Sequence, residues 1–235
     1  AHYTKQIGLM DEDKILELNP NTYGASLTST YNSYNDAAVL VFSRTGAENF
    51  DIATNGLNGQ GYSNDDAHKL QLDDNEKLLV KHAKENFKKV IVLINSSNIM
   101  EIPELDAPTS TEYGVDAILW VGSVGQDGTD AIAKILTGEV NPSGHTVDLW
   151  EKDFKKSPVW TNFGTGKQNK DANGDRLDAL YYGPNGESTY FADVEYREGI
   201  YYGYKYYETR YMDNTDKTEA YENVLYPYGY GLSYT

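Results

Sequence analysis

Three short apolar runs, Ala37–Phe42, Val90–Ile94 and Ala117–Val121, constrain the fold of this chain more than any other feature. All are rich in Val, Ile and Leu, and none alternates with polar residues. A strand that buries one face alternates. A continuous run suits a strand covered on both faces, as in a parallel sheet between helices. The segments between the runs supply those helices. Asp73 or Asp74 can cap the first, with Glu76 in its opening turn and Leu79, Ala83 and Phe87 on one face. Lys88 and Lys89 suit its C-terminal end, where cations are favoured. After the third run, Thr129 is a candidate cap, Ile132, Ile135 and Leu136 are expected to face inward, and Gly138 marks a stop. Strand and helix alternate, which predicts an α/β layered fold.

In such folds ligands gather at the carboxyl ends of the strands. The loops expected there are Ser43–Asp51, Asn95–Asn98 and Gly122–Gly128, all polar and rich in small residues. The rest of the chain is less regular. Residues 1–36 read as an irregular or partial lead-in without a strong opening strand. Residues 161–189, full of Gly, Asn and Asp, read as a long surface insertion, and a second acidic stretch follows at 213–223.

Charge narrows the partners. Against 20 Lys and Arg stand 36 Asp and Glu, a formal net charge of −16 that a nucleic-acid backbone or an anionic membrane would repel. Neither is expected as a partner. With no cysteine, disulfides and thiolate-held metals are excluded. No apolar run approaches the ~20 residues that span a bilayer. Ala1–Pro20 has neither a basic start nor an apolar core, so no signal peptide is expected within this chain; secreted and cytoplasmic bacterial locations both fit.

Several familiar patterns fail on spacing. Gly122, Gly125 and Gly128 fall three apart, without the close pair of a dinucleotide loop, and Asp127 sets a negative charge where phosphate would bind. Asp171, Asn173, Asp175 and Asp178 imitate a calcium loop, but Arg176 and Tyr182 occupy the places that need Gly and Glu. His2, His68, His82 and His145 are scattered, with no pair at metal-ligand spacing. No cofactor and no metal is therefore expected.

Two features remain. Glu48 follows the first run directly, between small residues Gly46 and Ala47, with Arg44 and Asp51 near enough in sequence to orient or tune it. Toward the C-terminus, Arg197–Tyr207 and Tyr226–Thr235 are strings of Tyr interleaved with Gly, a pattern suited to extended chain packed closely on another surface.

These strings resemble the closing signature of the second domain of family 3 glycoside hydrolases, enzymes that cut β-linked sugars. Asp116–Trp120 through Gly128, then Gly138–Gly144 with its Asn-Pro-Ser-Gly turn, look like that family's strand, loop, helix and turn in the right order. Ser43–Asp51 is similar to the family's R-x-S/A-G-E-x-x-D loop, with the order of Gly46 and Ala47 inverted. The resemblance runs from about Ala37 to Thr235. It implies one three-layer α/β sandwich domain over 1–235, with a largely parallel, roughly six-stranded sheet whose usual opening strand is not recognisable before Ala37. It implies Glu48 as acid/base, with Arg44 and Asp51 supporting. The family's nucleophile lies in a (β/α)₈ barrel with an "SDW"-like segment, and Trp120, Trp150 and Trp160 all lack a preceding Ser-Asp. The chain is thus expected to be part of a larger retaining hydrolase of β-linked glucosides or related oligosaccharides, inactive in isolation, its partners the barrel and the sugar. The alternative is a non-catalytic carbohydrate-binding or scaffolding module.

Overall fold

All three apolar runs form strands. In a computed structural model, which describes residues 18–44, 61–64, 67–160, 180–182, 188–190 and 196–233, they are β1 (Ala38–Ser43), β2 (Val90–Asn95) and β3 (Ala117–Trp120). They make a parallel sheet in the order β1-β2-β3, with Leu40 opposite Val92 and Val92 opposite Ile118. The chain divides into two compact units, Ala1–Asn141 and Pro142–Thr235, and this sheet lies in the first.

Between β1 and β2 runs α2 (Asp74–Asn86); a single helical turn, α1 (Ala25–Thr28), comes before β1. Asp73 caps α2 in a capping box: its side chain accepts the Glu76 N–H, and Glu76 accepts the Asp73 N–H. The helix buries Val80 and Ala83, and it packs against β1 and β2. Leu79 and Phe87, expected on the inward face with Ala83, flank that stripe and are only partly buried. Lys88 and Lys89 lie beyond the helix and pair with Asp36 and Asp116. Lys84 closes the last turn, donating to the carbonyls of Thr109, Thr111 and Gly114 and so fastening the segment that leads into β3.

The described part of the lead-in is a chain of short helical turns, Pro20–Thr22, α1 and Ser29–Asn32, set against α2 by aromatic edges. The Tyr31 ring packs 4.8 Å from Phe87, and its hydroxyl lies 3.2 Å from His82 Nε2.

Burial on the sheet is less symmetric than unbroken apolar runs suggest. Leu40, Phe42, Val92 and Ile94 share one face and are buried, whereas Val39 and Val41 on the other are 45% and 50% exposed. β1 thus alternates in burial although its residues do not alternate in polarity. The helix α3 (Thr129–Leu136) starts from Gly128 without a side-chain cap bond, so Thr129 is its first residue and not its cap. No residue of α3 is fully buried: Ile132 and Ile135 are half-buried, and Leu136 is exposed.

The second unit holds two small antiparallel sheets. β4 (Trp150–Glu151) pairs with β7 (Val224–Tyr226), and β5 (Leu180–Tyr182) pairs with β6 (Ser188–Tyr190). The hairpin β5–β6 falls at the end of the stretch expected to be an insertion. Two helices, α4 (Tyr204–Asp213) and α5 (Lys217–Ala220), precede β7.

One expectation is corrected here. The string Arg197–Tyr207 is not extended throughout, because Tyr204 onward is helical. Gly203, at φ 53°, turns the chain into α4 and brings Tyr207 into the core with Leu149 and Val224. A run of tyrosines carries no period of its own, so helix and strand were equally open to it. The second string packs closely as expected, although a turn at Tyr228–Gly229 interrupts its extended chain. A Cβ on Gly231 would lie 2.4 Å from the Gly144 carbonyl, so only glycine allows this approach.

Candidate functional site

At the carboxyl end of the parallel sheet, the three predicted loops begin side by side. The Asn95 amide donates to the Ser43 hydroxyl at 3.3 Å, the Arg44 N–H donates to the Asn95 carbonyl at 3.4 Å, and the hydroxyls of Ser97 and Ser123 meet at 2.8 Å. The Trp120 indole N–H donates to the Ser96 carbonyl at 2.7 Å, tying the end of β3 to the loop after β2. This edge is a row of neutral hydroxyls and amides. Beyond it, Gly122 and Gly125 both adopt positive φ.

Of the three predicted site residues, Arg44 is described, while Glu48 and Asp51 lie outside the described residues. Arg44 is fully engaged. Its guanidinium forks onto Glu76 with two 2.7 Å bonds, donates to the Ser43 carbonyl at 2.8 Å and the Gln71 carbonyl at 2.6 Å, and sends Nε to the Lys69 carbonyl. These account for all five guanidinium donors. No N–H is left for a substrate, so its influence is exerted through the backbone it holds.

Around this fork lies a buried polar cluster. His68 Nε2 stands 3.1 Å from Glu101 Oε2, which also accepts the Gln71 side-chain N–H at 3.1 Å. Gln71 therefore links the two pairs, its carbonyl serving Arg44 and its amide serving Glu101. Burial pushes the Asp73 carboxyl up to about 6, and the neighbouring Glu76 carboxylate adds to the rise against the Glu76 N–H that it accepts. A raised carboxyl is a common mark of an acid catalyst. Asp73 is nonetheless only 6% exposed and is committed to its helix cap. Burial also pushes the Tyr62 hydroxyl up to about 12, and that hydroxyl donates to the Gln71 carbonyl at 3.4 Å. Glu76, Gln71 and Glu101 were invisible as a group in sequence, because what unites them is burial around one guanidinium. The pair Asp73 and Glu76 at capping-box spacing was the one available signal.

In the second unit, Thr146 is the residue that sequence inspection missed. Its hydroxyl donates to the Pro227 carbonyl at 2.8 Å and accepts the Tyr230 N–H at 2.9 Å. Its backbone donates to the Tyr230 carbonyl at 2.8 Å and accepts the Gly229 N–H at 2.9 Å. The closing aromatic string is thereby stapled beside the Asn-Pro-Ser-Gly turn. Near it, the Tyr207 hydroxyl donates to Glu151 at 2.7 Å and accepts from Asn223 at 3.0 Å. Among the described residues, no group of three or more His, Asp or Glu side chains is gathered as a metal site, and no helix is long and apolar enough to cross a membrane.

The chain is similar to proteins named as β-glucosidases. The chain is 29% identical to a β-glucosidase of Ruminococcus albus over 85% of its own length, and 29% identical to β-glucosidase A of Butyrivibrio fibrisolvens over 86%. It spans only 16% and 22% of those two proteins. Among solved structures, β-glucosidase 3B of Thermotoga neapolitana, in complex with glycerol, superposes with a TM-score of 0.61 at 29% identity, over 94% of this chain and 25% of that one. A β-glucosidase of Paenibacillus barengoltzii shares the fold at the same TM-score of 0.61, with 24% identity over 91% of this chain and 18% of that one. Residues 21–234 match the C-terminal domain of glycosyl hydrolase family 3, so the chain belongs to that family.

Proposed function

We propose that this chain supplies the acid/base loop of a retaining β-glucosidase-type hydrolase, with Glu48 as proton donor and the nucleophile on a separate (β/α)₈ barrel of the same enzyme. Retaining hydrolysis needs two carboxyl groups ~5–5.5 Å apart, one attacking the anomeric carbon and one protonating the leaving oxygen. Glu48 protonates the departing oxygen in the first step and, as the conjugate base, activates water in the second. Asp51 supports it from the same loop. On this reading residues 1–235 form one sandwich domain, the described three-stranded sheet being part of a six-stranded one with helices on both faces.

The observation that carries this reading is the fixed carboxyl end of β1. Glu48 follows Ser43 and Arg44, both anchored there, and the family match covers that stretch. The small share of each relative that the chain spans supports a separate barrel. In the complete enzyme, Glu48→Gln is expected to lower kcat/KM on disaccharides about 10²-fold or more, and on 2,4-dinitrophenyl glucosides far less, since an activated phenol leaves without protonation in the first step. Equal slowing of both substrates refutes the assignment. The purified chain alone is expected to leave aryl β-glucosides intact; turnover at the rate of the complete enzyme refutes the separate-barrel architecture.

A second reading, a sugar-binding module, is favoured by the exposure of Tyr201, Tyr202 and Tyr228. Their geometry counts against it. Tyr228 stacks on Tyr204 at 4.5 Å, and Lys205 covers Tyr202 at 4.9 Å, so these rings spend a face on neighbours within the chain.

A further inference from the structure

The residues flanking segment 45–60, which carries Glu48, are fastened to one place. On one side, Arg44 forks onto Glu76 in the first turn of α2. On the other, the Gly61 carbonyl accepts the Asp74 N–H at 2.8 Å, the Ser63 hydroxyl donates to the Asp74 carboxylate, and the Tyr62 hydroxyl donates to the Gln71 carbonyl. Both flanks therefore converge on the N-terminus of α2, and that terminus is locked by the capping box in which Glu76 also takes part. Glu76 is the shared element: one carboxylate, 7% exposed, closes the helix cap and neutralises Arg44.

We propose that Glu76 is a positioning residue for the acid/base loop, setting through Arg44 the point from which the segment bearing Glu48 leaves β1. This rests on the assignment of Glu48 above. Three features support a role beyond ordinary packing. The Arg44 guanidinium is saturated, so its position is over-determined by Glu76 and three carbonyls and leaves little freedom to the backbone it belongs to. The fork is bidentate and charge-assisted, the geometry that fixes direction as well as distance. The anchor is also backed from behind, because Gln71 joins the Arg44 site to the buried His68–Glu101 pair. A proton donor displaced by about 1 Å loses on the order of 10²-fold in rate, so an anchor on the loop's flank has leverage on chemistry without touching the sugar.

The test compares Glu76→Gln and Glu76→Asp with Glu48→Gln in the complete enzyme. Gln keeps the shape but removes the charge; Asp keeps the charge but draws the fork back by one methylene. Cellobiose and 2,4-dinitrophenyl β-glucoside are the two substrates, with azide rescue of Glu48→Ala as an independent readout of the acid/base site. Thr146→Val, a structural loss in the other unit, shows what a change in stability alone does to the two rates. Both Glu76 variants are expected to lower kcat on cellobiose about 10-fold to 10²-fold with KM within about threefold. On the dinitrophenyl glucoside they are expected to change kcat/KM, which reports only the first step, by less than about threefold. Azide accelerates Glu48→Ala and leaves the Glu76 variants unchanged. If Glu48→Gln discriminates between the substrates but both Glu76 variants slow them in equal proportion, as Thr146→Val does, Glu76 is structural only and the inference is overturned while the acid/base assignment stands. If Glu48→Gln fails to discriminate, both fall. Should Glu76→Gln not fold, Glu76→Asp alone decides between these outcomes.

Discussion

Replacing Arg44 by Met separates the cost of burying a charge from the value of the contacts around it. The guanidinium and the Glu76 carboxylate are 9% and 7% exposed, so neither is hydrated in the folded chain. Met has similar length but donates nothing. Glu76 then keeps its bond from the Asp73 N–H and loses both bonds to the fork, remaining buried without its counter-charge. Removing one partner of a buried pair costs about 3–5 kcal/mol, and the carbonyls of Ser43, Lys69 and Gln71 each lose a donor besides. Arg44→Met with Glu76→Leu removes the stranded charge. What remains is the lost arm of the capping box and the under-satisfied carbonyls, about 1–2 kcal/mol. The double variant should thus be more stable than Arg44→Met by about 2 kcal/mol, an inversion that only an uncompensated buried charge produces. The assay is urea unfolding of the chain, followed by hydrogen exchange over residues 74–86 so that the first unit is read by itself. A double variant no more stable than Arg44→Met, or an Arg44→Met loss below about 1 kcal/mol, refutes the reasoning.

Two further outcomes are expected. Because the folded-state pKa of Asp73 is raised to about 6, ionising it opposes folding: its contribution is fully present below the ordinary aspartate range, is lost as pH rises toward 6 and is flat above that. Asn caps a helix as well as Asp, so Asp73→Asn should flatten the stability profile between about pH 4 and 6 and cost nothing at pH 7, where Asp73→Ala loses about 1 kcal/mol of cap; urea midpoints across that range check it, and an unchanged profile in the Asn variant refutes it. Thr146→Val should destabilise the second unit by about 1–3 kcal/mol, since the hydroxyl both donates to Pro227 and accepts from Tyr230, with exchange rising over 227–231 and not over 74–86.

What the sequence alone determined about this protein is what short-range chemistry encodes. Unbroken Val, Ile and Leu runs located β1, β2 and β3 and pointed to a parallel sheet, the setting in which strands lack polar alternation. Asp73 or Asp74 as cap, with Glu76 in the opening turn, marked the start of α2, and ordered motifs carried the family. Tertiary structure decided what depends on which distant groups share a volume. The exposure of Val39 and Val41 follows from what covers each face of the sheet, and nothing in β1 itself encodes that. The helical state of Tyr204–Tyr207 follows from Gly203 and from a core place for Tyr207 beside Leu149 and Val224. The union of Arg44 with Glu76, Gln71 and Lys69 joins residues 25 to 32 positions apart, and the Thr146 staple reaches across 81 and 84. A buried charge must find its partner wherever the fold brings one, and sequence spacing holds no record of that meeting.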